Sequence, residues 1–459
     1  MKTRRFFPAF FLIVLLFSIC ASPLALAEES KDIPDPDIQA KAALLVDRNS
    51  GTILYQKNKD QELYPASLTK IMTSLLVIEA VDRGDLSLDQ PITASASAFS
   101  TLSDDGSSAN IKVGETLTVQ ELLYCMLVVS ANESCNILAE QVAGSVSAFV
   151  DLMNEKAQAL GCQHTHFANA TGLQDPQHYT SAWDLYLIAT EALTHDLFMT
   201  ICDTPDIVLP ATNLSPQRHL YSTNYLLSSW RATGYRYPDA HGIKTGSTSD
   251  AGHCLVSSAV RGSLSLLSVV LGADKVTTPT GGTRVMSFSE TSRLFDWGFQ
   301  YFTYQTVLTS NDMLASMPVT LSREANSVAL HAEEDVVVLM PNTLTPEDLT
   351  RTVRFQEKSI KAPVTEGTRL AEAELSYGDT VYATVPLVAL NDVPASRSLV
   401  IQNQIQEFFS RAIVRVLCFL ILLLVAALVI WKLTIGRQKY RYGKKVTHRR
   451  NYRGRRKPF

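Results

Sequence analysis

The run from Ala412 to Ile435 constrains this chain more than any other feature. Its 24 residues are apolar apart from Arg415, Lys432 and Thr434. At about 1.5 Å per residue a helix of that length spans roughly 36 Å, enough to cross a hydrocarbon core. Backbone in lipid must satisfy its own hydrogen bonds, so the segment has to be a helix. Arg415 and Lys432 lie near its ends, where long side chains reach the interface. The tail over 436–459 carries eleven Lys and Arg residues and no acid. That asymmetry predicts a cytoplasmic tail by the positive-inside rule. A basic stretch beside a span is read as a topology determinant that touches anionic lipid, rather than as a nucleic-acid arm.

The other end is also apolar. Lys2, Arg4 and Arg5 precede the run Ala9 to Ile19, and Ala25-Leu26-Ala27 forms a small-x-small cleavage site. Residues 1–27 therefore read as a secretory signal peptide. Together the two ends predict a single-pass protein of the cell membrane with its main body extracytoplasmic. The whole chain has a net charge of −4, but Glu28 to Ser410 holds 24 basic and 45 acidic residues, a net charge of −21. An ectodomain so acidic argues against nucleic acid as a partner. Once signal and span are set aside, Cys125, Cys135, Cys162, Cys202 and Cys254 remain, an odd number without CxxC spacing. Buried free thiols fit better than a disulfide framework or a metal site.

Between the ends, Ala42–Val46 and Thr52–Tyr55 read as a β-hairpin, followed by a helix over 67–81. The stretch 118–161 has a helical pattern interrupted near Ser130, and a further helix is predicted over 181–193. Strand character returns at 252–259 and 264–271, before a helix over 287–299. Strands, then helices, then strands again predict an α+β fold with a helical insertion rather than a βαβ array. From Thr303 to about Val393, short apolar runs alternate with turn residues, the texture of a small all-β domain. Residues 394–411 read as a linker.

Three short motifs carry chemistry. Ser67 and Lys70 are three residues apart at the start of a helix, which puts amine and hydroxyl on one face. A lysine is a competent base once burial or nearby positive charge lowers its pKa. Lys244-Thr245-Gly246 offers a cation and a hydroxyl for a carboxylate, and a glycine that permits close approach of backbone to ligand. Ser-x-Asn occurs at Ser108, Ser130, Ser134 and Ser222. Context selects Ser130 with Asn132, in the break between two helices, where both side chains can face a cleft.

In this order the motifs are those of penicilloyl-serine enzymes. The surrounding text resembles the D-alanyl-D-alanine carboxypeptidase family of low-molecular-weight penicillin-binding proteins. The resemblance rests on YPASLTKIMT at 64–73, SANE at 130–133, Met153-Asn154 with Ala157 and Leu160-Gly161, FANATGL at 167–173, HGIKTGST at 241–248, and Trp297-Gly298-Phe299. It covers about 36–393 and implies a β-lactamase/transpeptidase-like catalytic domain over 36–302, an antiparallel sheet with helices and a helical subdomain. A small β-rich domain over 303–393 and the transmembrane helix would follow. It also implies roles. Ser67 would attack the penultimate D-alanine carbonyl of a peptidoglycan stem peptide ending in D-Ala-D-Ala, and Lys70 would take its proton. Ser130, held by Lys70 and Lys244, would pass a proton to the leaving amine, and Asn132 would hold the substrate amide. Lys244 and Thr245 would receive the terminal carboxylate, with Gly246 beside them. The backbone N–H groups of Ser67 and Ser247 would form an oxyanion hole. β-Lactams would inhibit, and no metal or organic cofactor is implied.

Two positions depart from the family's common pattern: Ser247 replaces a frequent His, and Ala131 a frequent Gly. The family's usual anchor is an interfacial amphipathic helix, whereas this chain shows a span. A class A β-lactamase would need a Glu roughly 35 residues beyond Ser-x-Asn, and His164 to Leu173 contains no carboxylate. A D-Ala endopeptidase uses the same apparatus, and a non-catalytic penicillin-binding scaffold is the remaining alternative.

Overall fold

The computed structural model describes residues 33–103, 106–279 and 281–442. The signal peptide at 1–27 lies outside the described residues, as does the basic tail from 443 onward. The chain divides into two compact units. One runs through Gln305 and takes in Val337–Asp348; the other holds Thr306–Val336 and continues from Leu349.

The first unit opens with β1 (Ala42–Asp47) and β2 (Ile53–Lys57), then a short 3-10 turn (Ala66–Thr69) that leads into α1 (Lys70–Asp82). A small ribbon of β3 (Pro91–Thr93) and β4 (Thr116–Thr118) precedes α2 (Val119–Val128), α3 (Asn132–Ala143), α4 (Val146–Ala159), α5 (Ala182–Ala192) and α6 (Asp196–Cys202). A second ribbon, β5 (Asp206–Leu209) with β6 (Arg218–Tyr221), leads to β7 (Ala240–Thr248), β8 (Gly252–Arg261) and β9 (Leu264–Ala273). A hairpin of β10 (Lys275–Thr277) and β11 (Thr283–Val285) comes before α7 (Met286–Tyr301) and β12 (Phe302–Leu308).

The main sheet has the antiparallel order β2-β1-β9-β8-β7. β1 is buried along its whole length, because both of its faces are covered. Leu44 and Val46 join a large core with α1, α2 and α5, while Ala43 and Leu45 pack with Phe288, Leu294 and Phe295 of α7. The period-2 alternation of a strand splits one apolar run between two cores. α1 is buried from Lys70 to Ile78 without interruption, so it is a central helix apolar on all sides. The expected α+β fold is what the chain adopts.

The break foreseen near Ser130 is real. α2 starts on a capping box, with Thr118 Oγ1 accepting from Glu121 N and Glu121 Oε2 accepting from Thr118 N. It ends at Val128, and α3 starts at Asn132. A second break, with Gly144 left-handed as cap and Ser145 capping α4, was not anticipated.

The second unit includes β13 (Met313–Thr320) and β14 (Ser327–Ala332), followed after the excursion of β15 (Val336–Pro341) by β16 (Thr350–Phe355), β17 (Ile360–Lys361), β18 (Arg369–Tyr377) and β19 (Thr380–Ala389). The sheet order is β16-β18-β19-β14-β13-β17, over a core that includes Met317, Val328, Leu330, Ala373 and Leu387. The β-rich reading of this region holds. Val337–Asp348 groups instead with the first unit, where Asn342 N donates to Tyr301 O at 2.9 Å and Gln305 Nε2 to Leu344 O at 3.1 Å.

The expected linker at 394–411 is largely helical: α8 spans Arg397–Ser410. Ile401, Ile405, Phe408 and Phe409 are exposed at spacings that form one apolar stripe. α9 (Ala412–Tyr442) follows, and its stretch Ala412–Thr434 is 23 residues long with none of its apolar window buried.

Candidate active site

The 3-10 turn carries Ser67, and α1 begins with Lys70. Lys70 Nζ lies 2.9 Å from Ser67 Oγ, 2.9 Å from Asn132 Oδ1 and 2.6 Å from Thr171 O. Its side chain is 0% exposed. Loss of hydration pushes its pKa down, and the attraction of nearby acidic groups, Glu133 among them, is a smaller opposing effect. A neutral lysine has two N–H donors and one lone pair. In the structure Nζ donates to all three oxygens; in the neutral amine, N–H groups kept on Asn132 Oδ1 and Thr171 O turn the lone pair to the Ser67 hydroxyl. The Ser67 hydroxyl and the Lys70 amine are thus in hydrogen-bond reach, the arrangement that a nucleophile and its base require.

Thr171 O is delivered by the loop 167–173. Asn169 Oδ1 accepts from Thr171 N at 3.1 Å and Gly172 N at 2.7 Å, and Thr73 Oγ1 donates to Ala170 O at 2.7 Å. Gly172 has φ +84°, and a Cβ there would lie 1.9 Å from Ala66 O. Only glycine lets this loop touch the nucleophile's turn. The loop presents Lys70 with a main-chain carbonyl at the position where the class A β-lactamase scheme needs a carboxylate.

Ser130 joins α2 to α3 at φ +65°, a conformation uncommon for a residue with a side chain. Ala131 N donates to Cys125 O at 2.9 Å and closes the turn. Ser130 Oγ is buried without a hydrogen-bond partner among the described residues, so the expectation that Lys70 and Lys244 hold it is not met: Lys70 Nζ is taken up by Ser67, Asn132 and Thr171, and Lys244 Nζ by Thr245 O. A buried hydroxyl left unpaired is costly, and such atoms mark positions with a reason beyond packing. Of the other Ser-x-Asn serines, two are hydrogen-bonded, and Ser134, likewise buried without a partner among the described residues, is not among those lining the cleft that holds Ser67. Ser108 Oγ donates to Glu133 Oε1 at 2.7 Å, Ser134 lies inside α3, and Ser222 Oγ accepts from Asn224 N.

β7 supplies the third motif. Thr245 Oγ1 lies 2.7 Å from Thr223 Oγ1. Lys244 is 1% exposed, and its Nζ donates to Thr245 O at 3.1 Å. Burial, together with repulsion from Lys70, lowers its pKa to about 7. A Cβ on Gly246 would lie 2.8 Å from Pro65 O. Gly246 thus permits close approach to the segment that carries Ser67, and it also lines the cleft.

Ser67, Ser130, Thr245, Gly246 and Ser247 line one cleft of about 320 Å³. Lys70 and Lys244 sit buried behind it, and Asn132 bridges from Lys70 to a neighbouring groove. Sequence reasoning missed Thr223, Tyr225, Lys275, Ser287 and Phe288, which line the same cleft. Thr223 is the middle residue of a Ser-x-Asn triplet that context set aside; the others carry no local signal.

Comparison with known proteins identifies the family. The D-alanyl-D-alanine carboxypeptidase family model matches residues 28–275, and the penicillin-binding protein 5 C-terminal domain model matches 302–395. D-alanyl-D-alanine carboxypeptidase DacF of Bacillus subtilis is 30% identical over 383 residues, covering 83% of this chain and 93% of its own. DacC of Escherichia coli K12 is 31% identical over 403 residues, covering 86% of this chain and 92% of its own. Penicillin-binding protein 5 from Haemophilus influenzae superposes with TM-score 0.59 at 30% identity, over 79% of this chain and 100% of its own. The carboxypeptidase DacD from Francisella tularensis gives TM-score 0.62 at 27% identity, over 80% of this chain and 97% of its own. With the family model matched over more than half its length, this chain belongs to the D-alanyl-D-alanine carboxypeptidase family.

Proposed function

We propose that the chain acts as a serine D-alanyl-D-alanine carboxypeptidase through an acyl-enzyme on Ser67. Its substrate is a peptidoglycan stem peptide, and β-lactams occupy the same cleft. Neutral Lys70 takes the Ser67 proton as Oγ bonds to the penultimate D-alanine carbonyl. The resulting oxyanion is held by the backbone N–H groups of Ser67 and Ser247. Collapse breaks the C–N bond, and the leaving D-alanine amine receives its proton from Lys70 by way of Ser130. Water then attacks the ester, with Lys70 again as base, and Ser67 is regenerated. Asn132 holds the substrate amide, while Thr245, backed by Lys244, faces the terminal carboxylate.

The observation that carries this reading is the buried Lys70 Nζ at 2.9 Å from Ser67 Oγ. The unpaired Ser130 hydroxyl in the same cleft supports the relay. The wild-type chain should release D-alanine from diacetyl-L-Lys-D-Ala-D-Ala and take up labelled penicillin. Ser67→Ala should lose both, turnover by at least about 10³-fold. Undiminished labelling of Ser67→Ala would overturn the assignment. For location, the exposed apolar stretch of α9 supports a membrane-spanning anchor, with the catalytic unit outside and the basic tail in the cytoplasm.

A further inference from the structure

The β10–β11 hairpin stands at the end of the segment matched to the carboxypeptidase family, which stops at residue 275, and before the second matched segment, which starts at 302. Its register pairs Lys275 with Val285 and Val276 with Arg284. Residues directly opposed in an antiparallel pair share a face. Lys275 and Val285 share the face that lines the catalytic cleft, beside Ser67, Ser130 and Thr245. The opposite face is pinned: Arg284 Nε donates to Ser289 Oγ at 2.7 Å, and its guanidinium lies over the Tyr235 ring at 5.6 Å. The base of the hairpin is fastened as well. Val285 N donates to Tyr235 Oη at 2.9 Å, and Met286 N donates to Asp274 O at 2.9 Å. These bonds hold the Lys275 face toward the cleft.

Lys275 is exposed, and its side chain makes no ion pair or hydrogen bond among the described residues. The motif lysine cannot substitute for it by contact, since Lys244 is 1% exposed and already donates to Thr245 O. His253 also lines the cleft, but burial and then the charge of Lys275 hold its pKa below the usual imidazole value, so it is neutral near pH 7. The cleft is thus left with one unpaired, accessible ammonium beside a reactive serine, in a unit whose substrate carries carboxylates.

We propose that Lys275 binds a carboxylate of the substrate and so sets which stem peptides this enzyme accepts. The proposal rests on the Ser67 carboxypeptidase reading. Two carboxylates have the chemistry to pair with it: that of the terminal D-alanine and that of an acidic side chain upstream. A flexible lysine fits either through one charge-assisted hydrogen bond.

Binding measured on a Ser67→Ala background separates this proposal from the chemistry of acylation. Full chain in detergent is titrated with diacetyl-L-Lys-D-Ala-D-Ala, and with a pentapeptide ending in D-Ala-D-Ala whose upstream side-chain carboxylate is either free or amidated. Adding Lys275→Gln should raise Kd about tenfold, and adding Lys275→Arg should restore it. Weakening on the diacetyl tripeptide, whose only carboxylate is terminal, assigns Lys275 to the D-alanine end. Weakening confined to the free-acid pentapeptide assigns it to the side chain. In the otherwise wild-type enzyme, Lys275→Gln should raise KM in parallel with kcat within about twofold. A Kd within twofold of the Lys275-bearing protein on all three peptides would overturn the proposal. If the Ser67 reading is wrong, Ser67→Ala keeps hydrolysing peptide, an outcome independent of the Lys275 comparison.

Discussion

His178 sits one hydrogen bond behind the nucleophile's turn. Its Nδ1 accepts from Ala168 N at 3.1 Å, so the neutral ring carries its proton on Nε2. That Nε2 meets Thr69 Oγ1 at 2.7 Å, and Thr69 Oγ1 donates to Ala66 O at 2.8 Å. A charged ring would set an N–H on Nδ1 against the Ala168 N–H. Burial lowers its pKa to about 4, against a smaller opposing attraction from Asp175. The folded value lies below the unfolded one, so the unfolded chain binds the extra proton first as pH falls. The stability that neutral His178 provides is complete above about pH 6.5 and drains away between there and pH 4, by on the order of 3 kcal/mol. In denaturant melts followed from pH 7 to 4, His178→Gln should flatten this slope; an unchanged slope would mean another group titrates. Ser67, Lys70, Ser130 and Lys244 were legible in sequence because their chemistry ties residue type to short spacing. Neither the His178 relay nor the Thr171 carbonyl could be read that way. Such partners are chosen by folding across about a hundred residues, and a main-chain oxygen has no residue identity to read.

At the scale of elements, two glycines decide how closely neighbouring segments approach the 3-10 turn. Gly246 brings β7 against Pro65 O, and Gly172 brings the 167–173 loop against Ala66 O. Gly172→Ala combines a left-handed alanine with a backbone clash. It should cost about 2–5 kcal/mol and slow penicillin acylation sharply. Gly161 provides the control, having φ +82° with open space around its Cβ direction. Gly161→Ala should cost only the conformational part, about 1–2 kcal/mol, and leave acylation unchanged. Equal losses in urea denaturation and equal acylation rates would show that the approach at Gly172 is not tight. Elements with strong periodicity were foreseen: the β1–β2 hairpin, α1, α5, β8, β9 and α7 all lie close to the expected segments. The β3–β4, β5–β6 and β10–β11 ribbons were not foreseen, because strands of three or four residues are too short for an alternating pattern to stand out. α8 was taken for a linker although its apolar stripe was there to see; its polar residues and its place before the span hid it.

For the whole molecule, the question is what covers α9. Ala412–Thr434 offers 23 residues of helix, about 35 Å, whose apolar side chains are exposed throughout, and Leu422, Ile430 and Trp431 are each more than 60% exposed. A core helix of that composition would be buried. In the proposed spanning arrangement lipid would supply that apolar environment without any partner helix, because Arg415 and Lys432 lie toward the ends and a charge costs most at the bilayer centre. The stripe on α8 then has an interface to rest on, since its Ile401, Ile405, Phe408 and Phe409 come within a few residues of the span. A helix held only at the surface would be stripped by alkaline carbonate or high salt; a spanning one is not. The full chain should therefore stay with membranes through both treatments, and a chain stopped at Ser410 should be released and remain able to bind penicillin. Orientation is tested separately. In the proposed orientation the acidic body would follow the signal peptide outward, and the tail, with its eleven basic residues, would resist translocation. Protease added to intact protoplasts should digest the catalytic unit and spare an epitope placed after Phe459. Loss of that epitope before lysis would place both ends of α9 on the outside and reduce the anchor to a surface-lying helix.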